Sequence, residues 1–329
     1  MMSGTVLTFP ARVVARLICV VLALTELAWM IRDISDVGLH DTLWTWSGVM
    51  LPGAIHSLLA TSGLDVLLLA VFAVACATAA KPSGAGVLVT AAALTLVYRT
   101  PTVWVMSSER YAGLPDRTWL LNTGIAGFLG AVALLITVRV GRRPAQDPAL
   151  GGPPAPPRAV PAVFAGVLLA VDALINLAWQ VYGMTRYTTE KYGPFNYWNL
   201  LTGQEGLTSL LAPSFAWSGW ARALLCLLAA VLAFVRMPPA RALGIAVGCV
   251  TAVFGLVSID MEAAQHVLFT FHGMPESGVV DQITVILEFI IGLGVLALLI
   301  PRGGRAATAA PGGQPPVSPY GTWGAPRQD

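Results

Sequence analysis

Eight runs of mostly apolar residues divide this chain, at about 13–31, 62–80, 84–104, 119–139, 160–182, 219–236, 241–259 and 280–300. A hydrocarbon core about 30 Å thick is crossed by about 20 residues of helix, because each residue rises about 1.5 Å. Runs of that length, closely spaced, leave one economical solution. Lipid offers no partner for backbone N–H and C=O groups, so each run closes its own hydrogen bonds as a helix. Composition agrees, with 56% hydrophobic residues, 11% charged residues and a mean hydropathy of +0.72. Soluble domains carry about 25% charged residues. The expected fold is an all-α polytopic membrane protein with about eight transmembrane helices. The third run is the weakest, because Arg99 and Pro101 interrupt it, and Pro101 is expected to kink or end that helix.

The runs fall into two sets of four that resemble one another. Leu27-Ala28-Trp29 recurs as Leu177-Ala178-Trp179, Ser57-Leu58-Leu59-Ala60 as Ser209-Leu210-Leu211-Ala212, and the 130–136 stretch as 294–300. The order is preserved, and Lys81-Pro82 and Arg236-Met237-Pro238-Pro239 punctuate the same stage of each set. Four spans per set is an even number, so two such repeats are parallel, related by an axis along the membrane normal. The expected organisation is a first four-helix repeat over 1–140, a Pro-rich cytoplasmic linker over 141–160, a second repeat over 161–302 and a disordered Gly/Pro/Ala-rich cytoplasmic tail over 303–329.

Placing the N-terminus inside puts twelve of the 19 Lys and Arg residues on the inner side. Arg32, Arg99, Arg110, Arg117, Arg186, Lys191 and Arg222 make up the outer set. That bias predicts a multi-pass plasma-membrane protein with both termini in the cytoplasm. Arg12 and Arg16 before the first run resemble a signal peptide, but Glu26, Trp29 and Arg32 follow where a cleavage site would stand, so the run reads as an uncleaved span. Two long outer loops, 33–61 and 184–218, are rich in Trp and Tyr and are expected to hold interfacial helices.

Ionisable groups at membrane depth are the sharpest functional pointers, because hydrocarbon disfavours them. Asp172 lies near the centre of the fifth run, with Asn176 and Gln180 following at four-residue steps on the same helix face. Glu26 in the first run and Glu288 in the last complete the candidate substrate or ion path. The repeat matches Glu26 to Asn176, Asp172 to Leu22 and Glu288 to Gly124, so any such site is lopsided. Arg99 and Asp260 interrupt the third and seventh runs at similar levels and are a candidate ion pair. Glu262, His266 and His272 are weak metal candidates, since Glu262 and His266 stand four apart but HExxH is absent.

No Walker motif, strand-borne GxGxxG or GxSxG elbow is present, and basic residues are dispersed, so nucleotide and nucleic-acid partners are not expected. The four cysteines lie inside apolar runs without CxxC spacing, and no cofactor is expected. Three functions compete. The first is a permease-like or channel-like protein for a small solute or ion with an acidic midplane site. The second is a non-catalytic membrane subunit or scaffold, with the lipid bilayer around it and a protein partner at the outer aromatic loops or the tail. The third is a membrane-embedded enzyme acting at the outer leaflet.

Overall fold

In the computed structural model, long helices expose many of their large apolar side chains and bury several of their ionisable ones. Leu17, Leu24, Leu174 and Leu224 are each about 60% exposed, whereas Glu26, Asp65, Arg99, Asp172 and Glu288 are buried. Water would favour the opposite distribution, and a surrounding hydrocarbon favours this one. The structure describes residues 5–49, 59–144, 158–187, 196–204, 207 and 209–300.

Among these residues, seven helices are long and apolar enough to cross a membrane: α1 (Phe9–Val37), α4 (Gly84–Ser107), α5 (Arg117–Val140), α6 (Ala159–Tyr187), α8 (Phe215–Phe234), α9 (Ala240–Ala264) and α10 (Glu276–Leu299). The expected second span is a shorter apolar helix, α3 (Gly63–Thr78), of 16 residues. Two short helices, α2 (Leu39–Trp46) and α7 (Tyr197–Thr202), lie in the segments expected to be interfacial. The expected tail at 303–329 and the middle of the linker lie outside the described residues. The linker's first residues are not free chain: β2 (Arg142–Pro144) pairs antiparallel with β1 (Thr5–Leu7).

The helices start and stop where local chemistry directs. Pro10 opens α1, where its missing N–H is no loss, and Gly38 at φ 87° ends it in a conformation that side chains resist. At the start of α3, the Asp65 carboxylate reaches back to the Ser62 backbone N–H, half of a capping box. The buried positions of α1 run Ala11, Ala15, Cys19, Leu22, Glu26, Met30 and Asp33, in steps of four and three. Those of α6 include Ala165, Leu169, Asp172, Asn176 and Gln180, again in steps of four and three. Such stripes are helix-packing seams. In one half α1 packs on α3 and α5, and α4 on α3 and α5; in the other α6 packs on α8 and α10, and α9 on α8 and α10.

Both halves belong to one compact unit. Their contact is built from irregular backbone as well as helices. Leu210 N and Leu211 N donate to the carbonyls of Leu59 and Ala60, each at 2.9 Å. These segments are the two copies of the Ser-Leu-Leu-Ala word, and the described parts are buried. Non-helical backbone is tolerated at membrane depth only when protein satisfies it. Asp33 does much of this on one side, accepting from Ala60 N, Thr61 N and Thr61 Oγ1 at 2.6–3.1 Å. The described end of this segment, residues 59–61, is buried and leads into α3.

Pro101 does not end α4, which continues to Ser107. Its missing N–H leaves the Val97 carbonyl without a helical donor. Trp217 of α8 supplies one, at 2.8 Å from Nε1 to that oxygen. Trp217→Phe is expected to cost roughly 1–3 kcal/mol by orphaning a partly buried carbonyl. The cost shrinks in a Pro101→Ala background, where residue 101 again donates to Val97. Equal costs in both backgrounds, measured by thermal melting, would exclude this account.

Candidate functional site

Two buried ionic centres lie inside the bundle. The first gathers Glu26 of α1, Asp65 of α3 and Arg99 of α4. Arg99 is 1% exposed, and its whole guanidinium is engaged. Nε donates to Glu26 Oε1 at 3.1 Å, Nη1 to the Leu211 carbonyl at 2.7 Å, and Nη2 to both Glu26 Oε2 and Asp65 Oδ1. Thr102 Oγ1 donates to the same Leu211 carbonyl at 3.2 Å. Arg99 therefore ties three helices of one half to the irregular segment of the other. The planar fork of Arg suits such multiple engagement, where Lys would offer a single nitrogen.

The second centre gathers residues from four helices of the other half. Asp172 of α6 accepts from Thr251 Oγ1 of α9 at 2.8 Å and from Cys226 Sγ of α8 at 3.0 Å. Asn176 Nδ2, one turn on, donates to Glu288 Oε1 of α10 at 3.2 Å and to the Asp172 backbone carbonyl at 3.0 Å. Arg222 Nη1 of α8 donates to Glu288 Oε2 at 2.9 Å, and its guanidinium lies 4.8 Å from the Phe254 ring centre. Phe254 provides a cation–π face on the other side of the charge. Each centre thus has two carboxylates and one guanidinium. With all of them ionised, each carries one excess negative charge in a setting that water does not screen.

The expected polar stripe is present, since Asp172, Asn176 and Gln180 are all buried on one face of α6. Asp172, Asn176 and Glu288 come together, whereas Glu26 belongs to the other centre. Gln180 serves a third, smaller knot, in which Trp220 Nε1 donates to Tyr197 Oη at 2.7 Å and Tyr197 Oη donates to Gln180 Oε1 at 3.0 Å. Burial raises the Tyr197 hydroxyl above its ordinary pKa, and the Trp220 donor opposes that rise. Gly219 makes the approach possible, because a Cβ there would meet Gln180 Nε2 at 1.9 Å.

The expected Arg99–Asp260 pair does not form: Arg99 is fully engaged by Glu26, Asp65 and Leu211, and these carboxylates are closer along the fold. Arg99 and Arg222, counted with the outer set, both turn into the bundle. The Glu262, His266 and His272 trio is not assembled either. α9 stops at Ala264, His266 adopts φ 56°, and both histidines are exposed while Glu262 is buried. Among the described residues no three His, Cys, Asp or Glu side chains are grouped to hold a metal ion.

Asp65, Cys226 and Thr251 are site residues that sequence reasoning passed over. Asp65 carried a signal that a capping role concealed, and the other two are ordinary inside apolar runs. No family model matches the chain, and no curated protein and no solved structure is significantly similar to it.

Proposed function

We propose that this integral membrane protein is permease-like or channel-like and moves a proton or small cation through the Asp172–Glu288–Arg222 centre. The observation that carries the reading is that Asp172 is buried with no cation in contact among the described residues. In the first centre Arg99 contacts both Glu26 and Asp65, whereas in the second Arg222 contacts Glu288, and the Asp172 side chain accepts from Asn176, Cys226 and Thr251. A buried carboxylate without an ion-pair partner is neutralised by a proton or a small cation.

The proposal extends to architecture. The chain is read as two parallel four-helix repeats in the plasma membrane, α1, α3, α4 and α5 against α6, α8, α9 and α10, with both termini cytoplasmic. Matched hydrogen bonds support the duplication. Trp29 Nε1 donates to Thr123 Oγ1 at 2.9 Å in one half, and Trp179 Nε1 donates to Thr284 Oγ1 at 3.1 Å in the other. The buried stripes of α1 and α6 run in register, with Glu26 opposite Asn176 and Leu22 opposite Asp172. α3 serves as the eighth span, completed by the buried segment before it.

The test uses purified protein in liposomes with a pH-sensitive dye trapped inside and an imposed proton or cation gradient. Wild-type protein is expected to dissipate the gradient. Asp172→Asn keeps the shape of the side chain and removes its charge, so flux is expected to fall to the level of empty liposomes while melting changes little. Full flux in Asp172→Asn would remove the assignment.

A further inference from the structure

Tyr98 is completely buried on α4, one residue before Arg99, and its hydroxyl has no hydrogen-bond partner among the described residues. Arg222 Nε is buried and unpartnered in the same way. The two groups interact electrostatically with each other, and Tyr98 also does so with Asp172 and Cys226. α4 packs against α8 and α9, the helices that carry Arg222, Cys226 and Thr251. Phe would fill the same volume as Tyr98 without burying an unsatisfied hydroxyl, and replacing such a group by an apolar one is neutral or stabilising. Packing alone therefore gives no reason for this oxygen.

We infer that Tyr98 Oη and Arg222 Nε form a water-binding site beside Asp172, and that Tyr98 is a further residue of the proton-accepting centre. A water molecule fits the chemistry. It accepts from the Tyr98 hydroxyl and from Arg222 Nε–H, and it donates to the carboxylate, giving three polar partners of the two to four that hold a buried water. An anion would be repelled by Asp172 and Glu288, whereas water serves the two donors and the carboxylate at once. The site also suits proton delivery. A proton arriving on this water passes to the Asp172 carboxylate, forms the carboxylic acid and leaves neutral water, with no other reactant. The inference rests on the proton reading above, and its test separates the two.

The charged and titratable groups facing Tyr98 are Arg222 and Cys226 on α8 and Asp172 on α6; Glu288 on α10 acts through Arg222, and Arg99 with Asp65 and Glu26 begins at the next residue of α4. Full-length wild type and Tyr98→Phe are compared in lipid nanodiscs by melting across a pH series, and in liposomes by proton flux. Tyr98→Phe is expected to melt at the same or a higher temperature at neutral pH. Its pH-dependent melting step is expected to move upward by about one pH unit, a tenfold change in proton affinity, because the ionised carboxylate loses a well-held donor. An unchanged midpoint overturns the inference, and so does a folding defect in Tyr98→Phe, which would give the hydroxyl a structural role. A shifted midpoint in a protein that carries no flux supports the water site and removes only the transport reading.

Discussion

Arg99→Ala is expected to be the most destabilising single change in the first half of the chain. It leaves Glu26 and Asp65 facing each other with no cation and deprives the Leu211 carbonyl of its shorter hydrogen bond. Breaking a buried ion pair from one side costs about 3–5 kcal/mol, because the abandoned charge stays buried. The asymmetry of the centre gives the prediction its sign pattern. Glu26→Gln removes the excess negative charge, keeps an acceptor for Arg99, and is expected to cost under about 1 kcal/mol, close to the net worth of one hydrogen bond. Arg99→Lys should fall between the two, since it keeps the charge but offers one nitrogen in place of three. Asp260→Ala should add to Arg99→Ala within about 0.5 kcal/mol, as unconnected sites do. Melting of the set in nanodiscs checks the pattern. Equal costs for Arg99→Ala and Glu26→Gln would mean that the two-to-one charge balance has been misread.

This centre also shows what a linear sequence discloses and what it withholds. The face shared by Asp172, Asn176 and Gln180 was legible because a helix fixes the relation between residues four apart. The partners of those residues were not, since they arrive from elsewhere: Thr251 lies 79 residues from Asp172, and Asn176 lies 112 from Glu288. Arg99 was legible as an anomaly but not as a hub. Pro101 lowers the local hydropathy and makes Arg99 look like the end of a span, whereas α4 runs on to Ser107 because Trp217 satisfies the carbonyl that Pro101 orphans. Asp65 was hidden for another reason. A carboxylate in the first turn of a helix has a sufficient local explanation, and here it fills that role with one oxygen while the other meets Arg99. Local rules account for one partner at a time, and buried centres are made by residues with two.

Gly292→Leu is expected to have an effect of similar size in the second half, through packing. α9 and α10 approach so closely that a Cβ on Gly292 would stand 2.5 Å from Ala252 N and 2.7 Å from Ala252 Cα, and one on Gly255 would stand 2.6 Å from Phe289 N. Small residues that let helix backbones touch are the common means of association in lipid, where no hydrophobic drive brings helices together. These contacts also set the site. Gly292 lies one turn from Glu288, Phe289 is its neighbour, and Ala252 follows Thr251, which donates to Asp172. Pushing α9 from α10 therefore draws Thr251 away from Glu288 and from Asp172, which α6 holds against α10. Overpacking usually costs about 1–3 kcal/mol and sometimes more. Gly292→Ala is expected to fall inside that range, and Gly292→Leu to reach or exceed its top and to abolish flux even where some protein still folds. The graded loss follows from backbone atoms, which cannot rotate aside as a flexible side chain would. A Gly292→Leu protein that melts like wild type would show that α10 can slide, and that the alignment of Glu288 with Asp172 does not depend on this contact.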